Sequence, residues 1–107
     1  LLEALRERGG GVVPAAIAAE MARDQVAPLD SGQGTGFGLG FSVLRDQIAA
    51  GSPESPGTWR WGGVYGHSWF VDPARALTVV ALTNTLYEGM SGRFVNALRD
   101  AVYRTIG

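Results

Sequence analysis

The chain has 107 residues, 46% of them hydrophobic and 18% charged, and a formal net charge of −1. This is the size and balance of one small globular domain; a disordered tail would be poorer in apolar residues and more highly charged. Near-neutral charge gives no field to attract nucleic acid, and no apolar run approaches the ~20 residues of a membrane span. Cysteine is absent, which excludes a disulfide framework, a thiol nucleophile and thiolate-bound metal. All nine basic residues are arginine. Because arginine stays protonated, no lysine-type base or Schiff-base amine is available within the chain.

Leu1, Leu2 and Leu5 share a helical face, and Gly9-Gly10-Gly11 ends that helix. Pro14 suits the first turn of a second helix, in which Ile17 and Met21 form a short stripe with Ala18 and Ala22 beside them. From Gly32 the period changes to two. Glycines at 32, 34, 36, 38 and 40 alternate with Phe37, Leu39, Phe41 and Val43, which predicts a strand with one apolar and one bare face. A bare face lets a helix, another backbone or a ligand approach closely. Residues 46–57 read as a loop, followed by strands over Trp59–Gly63 and Tyr65–Asp72 and a turn at Asp72-Pro73-Ala74-Arg75. Leu77–Thr83 is almost continuously apolar, the pattern of a central strand covered on both faces. Ser91 is placed to cap a last helix whose stripe runs Phe94, Leu98, Ala101 and Thr105, widened by Val95, Val102 and Ile106.

The expected fold class is α+β, an antiparallel β-sheet of four strands flanked by helices. Residues 1–26 form a helical lead-in, 36–84 the antiparallel strands and 91–106 the C-terminal helix, all within one partial domain.

The glycine run does not fit a dinucleotide fingerprint, because Phe37 and Leu39 occupy positions that need glycine, and no P-loop lysine follows. Gly66-His67-Ser68-Trp69-Phe70 departs from a nucleophile elbow in its last residue and in leading to a strand rather than a helix. His67 and Ser68 are adjacent on a strand and so point to opposite faces, which separates them as base and nucleophile. His67 is the only histidine, so it has no companion for a metal site, and it reads as a structural or pocket-edge residue. Arg60 and Arg75 read as surface residues. Trp61-Gly62-Gly63-Val64 is the most informative stretch. Two glycines after a large aromatic leave backbone N–H groups unshielded, suited to receive an oxyanion; a β-bulge packed under Trp61 is the structural alternative.

Phe37-Gly38-Leu39-Gly40-Phe41, Trp61-Gly62-Gly63, Trp69-Phe70-Val71-Asp72-Pro73 and Thr78-Val79-Val80-Ala81-Leu82-Thr83-Asn84, in this order and spacing, resemble the C-terminal third of the serine β-lactamase-like hydrolases. This superfamily includes class C β-lactamases, penicillin-binding proteins, D-aminopeptidases and family VIII carboxylesterases. The resemblance covers nearly the whole chain and implies the C-terminal portion of a β-lactamase/transpeptidase-like α-β-α fold. Such enzymes join a Ser-x-x-Lys helix, a Tyr-x-Asn or Tyr-x-Ser loop and a third motif on a strand. Trp61-Gly62-Gly63 matches the third motif in its esterase-like form. By that match the Val64 N–H is one oxyanion donor, the nucleophilic serine's own N–H is the other, and Trp61, Gly62 and Gly63 border the substrate.

Ser-x-x-Lys does not occur in the chain, and none of Tyr65, Tyr87 and Tyr103 is followed two residues later by Asn or Ser. The resemblance therefore implies a piece of a longer protein, with ~200 or more preceding residues as its partner. The substrate implied is a small ester, amide or β-lactam. The neutral Trp61, standing where β-lactamases carry lysine, favours esters over β-lactams. No cofactor and no metal is implied. Alone, the 107 residues are expected to be inactive and to self-associate through exposed faces. The alternative is a non-catalytic binding or interaction domain on the same scaffold.

Overall fold

A computed structural model of the chain describes residues 1–90 and 92–107. The elements are α1 (Leu2–Arg6), α2 (Ala15–Ala22), β1 (Thr35–Phe37), β2 (Ser42–Leu44), β3 (Trp59–Gly62), β4 (His67–Asp72), a 3₁₀ turn (Pro73–Arg75), β5 (Leu77–Leu82) and α3 (Arg93–Ile106). The five strands form one antiparallel sheet in the order β1-β2-β3-β4-β5.

Alternation along β3 and β4 divides the side chains between two layers. On one face Trp59 and Val71 join Phe41, Val43, Leu5 and Ala18 in a buried core, with Leu2, Val13, Met21 and Trp69 packed around it. This is where α1 and α2 lie. On the other face Phe70 stacks on Tyr103 of α3, with ring centroids 6.0 Å apart. Glu3 ties α1 to the sheet by accepting from Arg6 and from the Thr78 hydroxyl, and these two bonds hold its carboxyl down to about 2.

The glycine-alternating segment is not one strand but a hairpin, which raises the strand count from four to five. Gly38 N–H donates to the Phe41 carbonyl at 2.8 Å, leaving Leu39-Gly40 as a two-residue tip in which Gly40 takes φ +111°. Phe41 and Val43 are buried as expected, whereas Leu39 is displaced onto the turn and exposed. At Gly36 and Gly38 the bare positions are filled by other parts of this chain. A Cβ at Gly38 would strike the Met21 carbonyl, and one at Gly36 the Asp24 carboxylate. Leu39 N–H donates to Met21 O at 3.0 Å and Gln25 N–H to Phe37 O at 2.8 Å, which fastens the end of α2 across the hairpin. Arg45 then clamps Asp24, and the guanidinium keeps that carboxyl below its usual range.

Three further expectations are corrected. β4 starts at His67 rather than Tyr65, because Val64–Gly66 form a turn. β5 is an edge strand among the described residues rather than a central one, with Val80 and Leu82 exposed. α3 keeps Val95, Leu98, Ala101 and Val102 of the expected stripe half-buried and adds the buried Tyr103 and the half-buried Arg99, while the stripe's ends Phe94, Thr105 and Ile106 are exposed. Tyr103 makes a polar contact that an apolar stripe does not register: its hydroxyl donates to Asp72 Oδ2 at 2.6 Å. The predicted Ser91 cap lies outside the described residues. Gly92 stands at the N-cap, and the Glu88 carboxylate accepts the Phe94 N–H at 3.1 Å.

Asp72 is fully buried. Burial alone would raise its pKa, but bonds from Tyr103 O–H and from the Ser55 and Arg75 N–H groups outweigh it and hold the carboxyl below its ordinary value. Burial, and then the bond to Asp72, push the Tyr103 phenol up. A depressed carboxyl contributes stability above its unfolded pKa of ~3.9 that is lost as pH falls; a raised phenol contributes below ~10 and loses it as pH rises. Tyr103→Phe is expected to cost about 1–3 kcal/mol in denaturant titrations at neutral pH, because a buried carboxylate loses its shortest donor. The difference from wild type should shrink below about pH 4.

Candidate active site

The regular β3–β4 ladder sets the geometry. Trp61 lies opposite Trp69 and Gly62 opposite Ser68, with no residue inserted along this part of the ladder; the bulge comes one step later, where Gly66, at φ +114°, and His67 both oppose Gly63. Beyond the ladder, Gly63 N–H donates to His67 O at 2.8 Å and Gly66 N–H to Gly63 O at 3.1 Å. Because a trans peptide directs its N–H opposite to its C=O, the Val64 N–H points away from β4. Among the described residues it meets no acceptor. The next carbonyl, that of Val64, is also fixed, since it accepts the Tyr87 N–H at 2.6 Å. The Val64 N–H is thus a backbone donor held on both sides, with no acceptor among the described residues; the Tyr65 N–H, in the same turn, likewise meets none.

The residues flanking this donor have distinct settings. Trp61 is 47% exposed and stands edge-on to Phe37 at 5.4 Å. A Cβ at Gly62 would strike the Gly89 carbonyl, and a Cβ at Gly63 the His67 imidazole. His67 therefore covers Gly63, and it is exposed to solvent. Ser68 turns to the opposite face, where it is buried and helps line a cleft of about 250 Å³ with Gly62, Gly89, Met90, Val95 and Asn96. His67 and Ser68 thus do not meet.

Arg60 is committed elsewhere. Its guanidinium pairs with the buried Glu54 carboxylate at 3.0 Å and lies 5.4 Å from the centre of the Phe70 ring. Arg75 is exposed and donates to the Ile106 carbonyl at 3.4 Å. Among the described residues no three His, Cys, Asp or Glu side chains gather to hold a metal, and no helix is long and apolar enough to cross a membrane.

The turn Thr85–Met90, between β5 and α3, carries no recognisable motif. That turn supplies the Tyr87 bond and the Gly89 packing surface against Gly62. Its one sequence signal is Gly89, a residue suited to close backbone approach.

Comparison with known proteins shows the family and the fold of the chain. Residues 1–104 match the family described as Beta-lactamase. Esterase EstB of Burkholderia gladioli is 53% identical over 104 residues, which is 95% of this chain and 26% of the esterase. The solved structure of EstCE1, a hydrolase with promiscuous acyltransferase activity, is 52% identical with a TM-score of 0.86, covering 94% of this chain and 27% of EstCE1. Simvastatin synthase (LovD) of Aspergillus terreus, at 18% identity, shares the fold with a TM-score of 0.76 over 97% of this chain and 32% of its own. The chain thus spans about a quarter to a third of the length of these relatives, and its sheet and helices match the C-terminal part of their fold. With the family match running almost end to end, the chain belongs to the beta-lactamase family.

Proposed function

We propose that this chain forms the oxyanion-stabilising wall of a serine esterase that works through an acyl-enzyme. The observation that carries the reading is the Val64 N–H, which is fixed in direction and has no acceptor among the described residues. In the reaction the serine hydroxyl gives its proton to the base as its oxygen attacks the ester carbonyl carbon, the carbonyl oxygen becomes an oxyanion, and the base passes that proton to the departing alcohol. The Val64 N–H and the serine's own N–H receive that charge. Collapse of the intermediate expels the alcohol and leaves the acyl-serine, which water then hydrolyses. Removing one such donor typically costs ~10²–10³ in rate.

Trp61 supplies an apolar side wall for the acyl or alcohol group, while Gly62 and Gly63 let the Gly89 carbonyl and the His67 imidazole pack close against the strand beside it. The nucleophile and its base belong to the remaining length that EstB and EstCE1 have beyond the matched segment. Ester substrates accord with the name of EstB, and the neutral Trp61 offers no cation for a β-lactam carboxylate.

The test is a hydrolysis assay on the full-length gene product. Short-chain p-nitrophenyl esters should be turned over readily and the cephalosporin nitrocefin at a rate at least about tenfold lower. An enzyme preferring nitrocefin would reverse the substrate assignment. A full-length product without an in-frame Ser-x-x-Lys would remove the acyl-enzyme mechanism and favour a non-catalytic domain.

A further inference from the structure

The turn Thr85–Met90 makes two contacts with the candidate site and one with the start of α3. Tyr87 N–H donates to the Val64 carbonyl at 2.6 Å. Gly89 lies so close to the strand that a Cβ on it would strike the carbonyls of His67 and Gly63, while a Cβ on Gly62 would strike Gly89 in return. The Glu88 carboxylate accepts the Phe94 N–H at 3.1 Å at the start of α3, and a Cβ on Gly92 would strike the same carboxylate.

The turn is also held in an unfavourable backbone conformation. Tyr87 has φ +66°, a left-handed value that a bulky L-residue adopts only where its surroundings enforce it. Successive bonds from Glu88 N–H to Thr85 O and from Met90 N–H to Tyr87 O, at 3.2 and 3.1 Å, wind the segment tightly around this residue. Such over-determination is unnecessary for a simple link between β5 and α3. It makes sense if the position of the turn matters to what it touches, and what it touches is the peptide pair on either side of the proposed donor.

We infer that the Thr85–Met90 turn is a positioning element for the oxyanion donor: the Tyr87 N–H and the Gly89 contact fix the direction of the Val64 N–H, and Glu88 anchors the turn to α3. The inference rests on the proposed role of Val64 and adds residues that reach substrate only through it. Leu86, Tyr87 and Met90 are exposed on the same turn, so its placement is set by backbone contacts rather than by burial of its side chains.

The full-length enzyme and its variants should be compared on an ester and on the matching thionoester, whose sulfur is a poorer hydrogen-bond acceptor. Wild type should favour the oxygen ester. Gly89→Ala and Glu88→Ala should each lower kcat by about tenfold or more, leave KM within about twofold, and reduce the oxygen-to-sulfur rate ratio. Glu88→Gln, which keeps an oxygen to accept the Phe94 N–H, should restore the ratio, and Leu86→Ala should not alter it. If Gly89→Ala disturbs folding, Glu88→Ala decides the matter, because it adds no atoms. An unchanged ratio in Glu88→Ala, with wild type active and discriminating, would overturn the positioning role. A wild type that hydrolyses both esters equally, or neither, would instead overturn the functional reading of Val64.

Discussion

Gly63→Val in the full-length enzyme is expected to lower kcat on p-nitrophenyl esters by about 10²-fold, near the cost of losing one oxyanion donor, while KM changes by less than about threefold. Two routes lead to that loss, and the structure separates them. A branched side chain at 63 can crowd the position of the oxyanion beside the Val64 N–H, or it can collide with the imidazole that covers Gly63. His67 is exposed and can swing into solvent, so its displacement alone should be cheap. The double variant Gly63→Val/His67→Ala removes the collision and leaves the crowding. If activity stays low in the double variant, crowding is the cause; recovery would make His67 the obstacle. Full activity in Gly63→Val would leave Trp61-Gly62-Gly63 a structural stretch only. Steady-state kinetics of the two variants on one ester suffice.

Trp59→Ala is expected to cost about 3–5 kcal/mol in a guanidinium titration, the largest stability effect of any single truncation here. Trp59 is 2% exposed, stacks on Phe41 with centroids 4.7 Å apart and meets Trp69 edge-on at 5.9 Å. Removing it opens a cavity at the centre of the face that α1 and α2 cover. Trp61 is the same residue type on the same face two positions later, yet it is half exposed and its aromatic contact is the edge-on pair with Phe37. Trp61→Ala should therefore cost no more than about 1.5 kcal/mol, the scale of such a pair. Equal losses at the two positions would mean that burial does not distinguish them.

The contrast between these tryptophans shows what could be read from the residue order and what could not. Period-two alternation placed both on one strand, and the resemblance gave the second a role at the substrate. Neither indicates which is buried, since that depends on how far α2 reaches along the sheet. The glycines of the 32–40 run announced a close approach, but a strand and a hairpin share the same alternation until a turn breaks it. The turn at Leu39-Gly40 depends on a left-handed glycine that nothing distinguishes from its neighbours in the run. On α3 the middle of the apolar stripe is half-buried as its period implies, but the stripe does not single out the buried Tyr103. Tyr103 scores as a weak hydrophobe, yet its hydroxyl completes the shell of a buried aspartate, and that partner lies on another element. Contacts of this kind come from tertiary placement and leave no periodic trace.

The candidate site was legible as a stretch and not as a geometry. Trp61-Gly62-Gly63-Val64 stands out by composition alone, whereas the direction of the Val64 N–H follows from bonds with residues 66 and 87. The close packing of Gly62 against Gly89 joins two glycines that the sequence presents as unrelated.

The strands β3, β4 and β5 and the turn that follows them run consecutively from Trp59 to Met90, and this affects how the donor comes to be in place. The bonds made directly to the peptides around the Val64 amide, from residues 63, 66 and 87, close loops within that stretch, so the chain entropy lost in forming them is small, and such loops close quickly. The orientation of this amide can be established while the ends of the protein are still far apart. A catalytic serine arriving from a distant part of the chain would then dock against a donor already fixed.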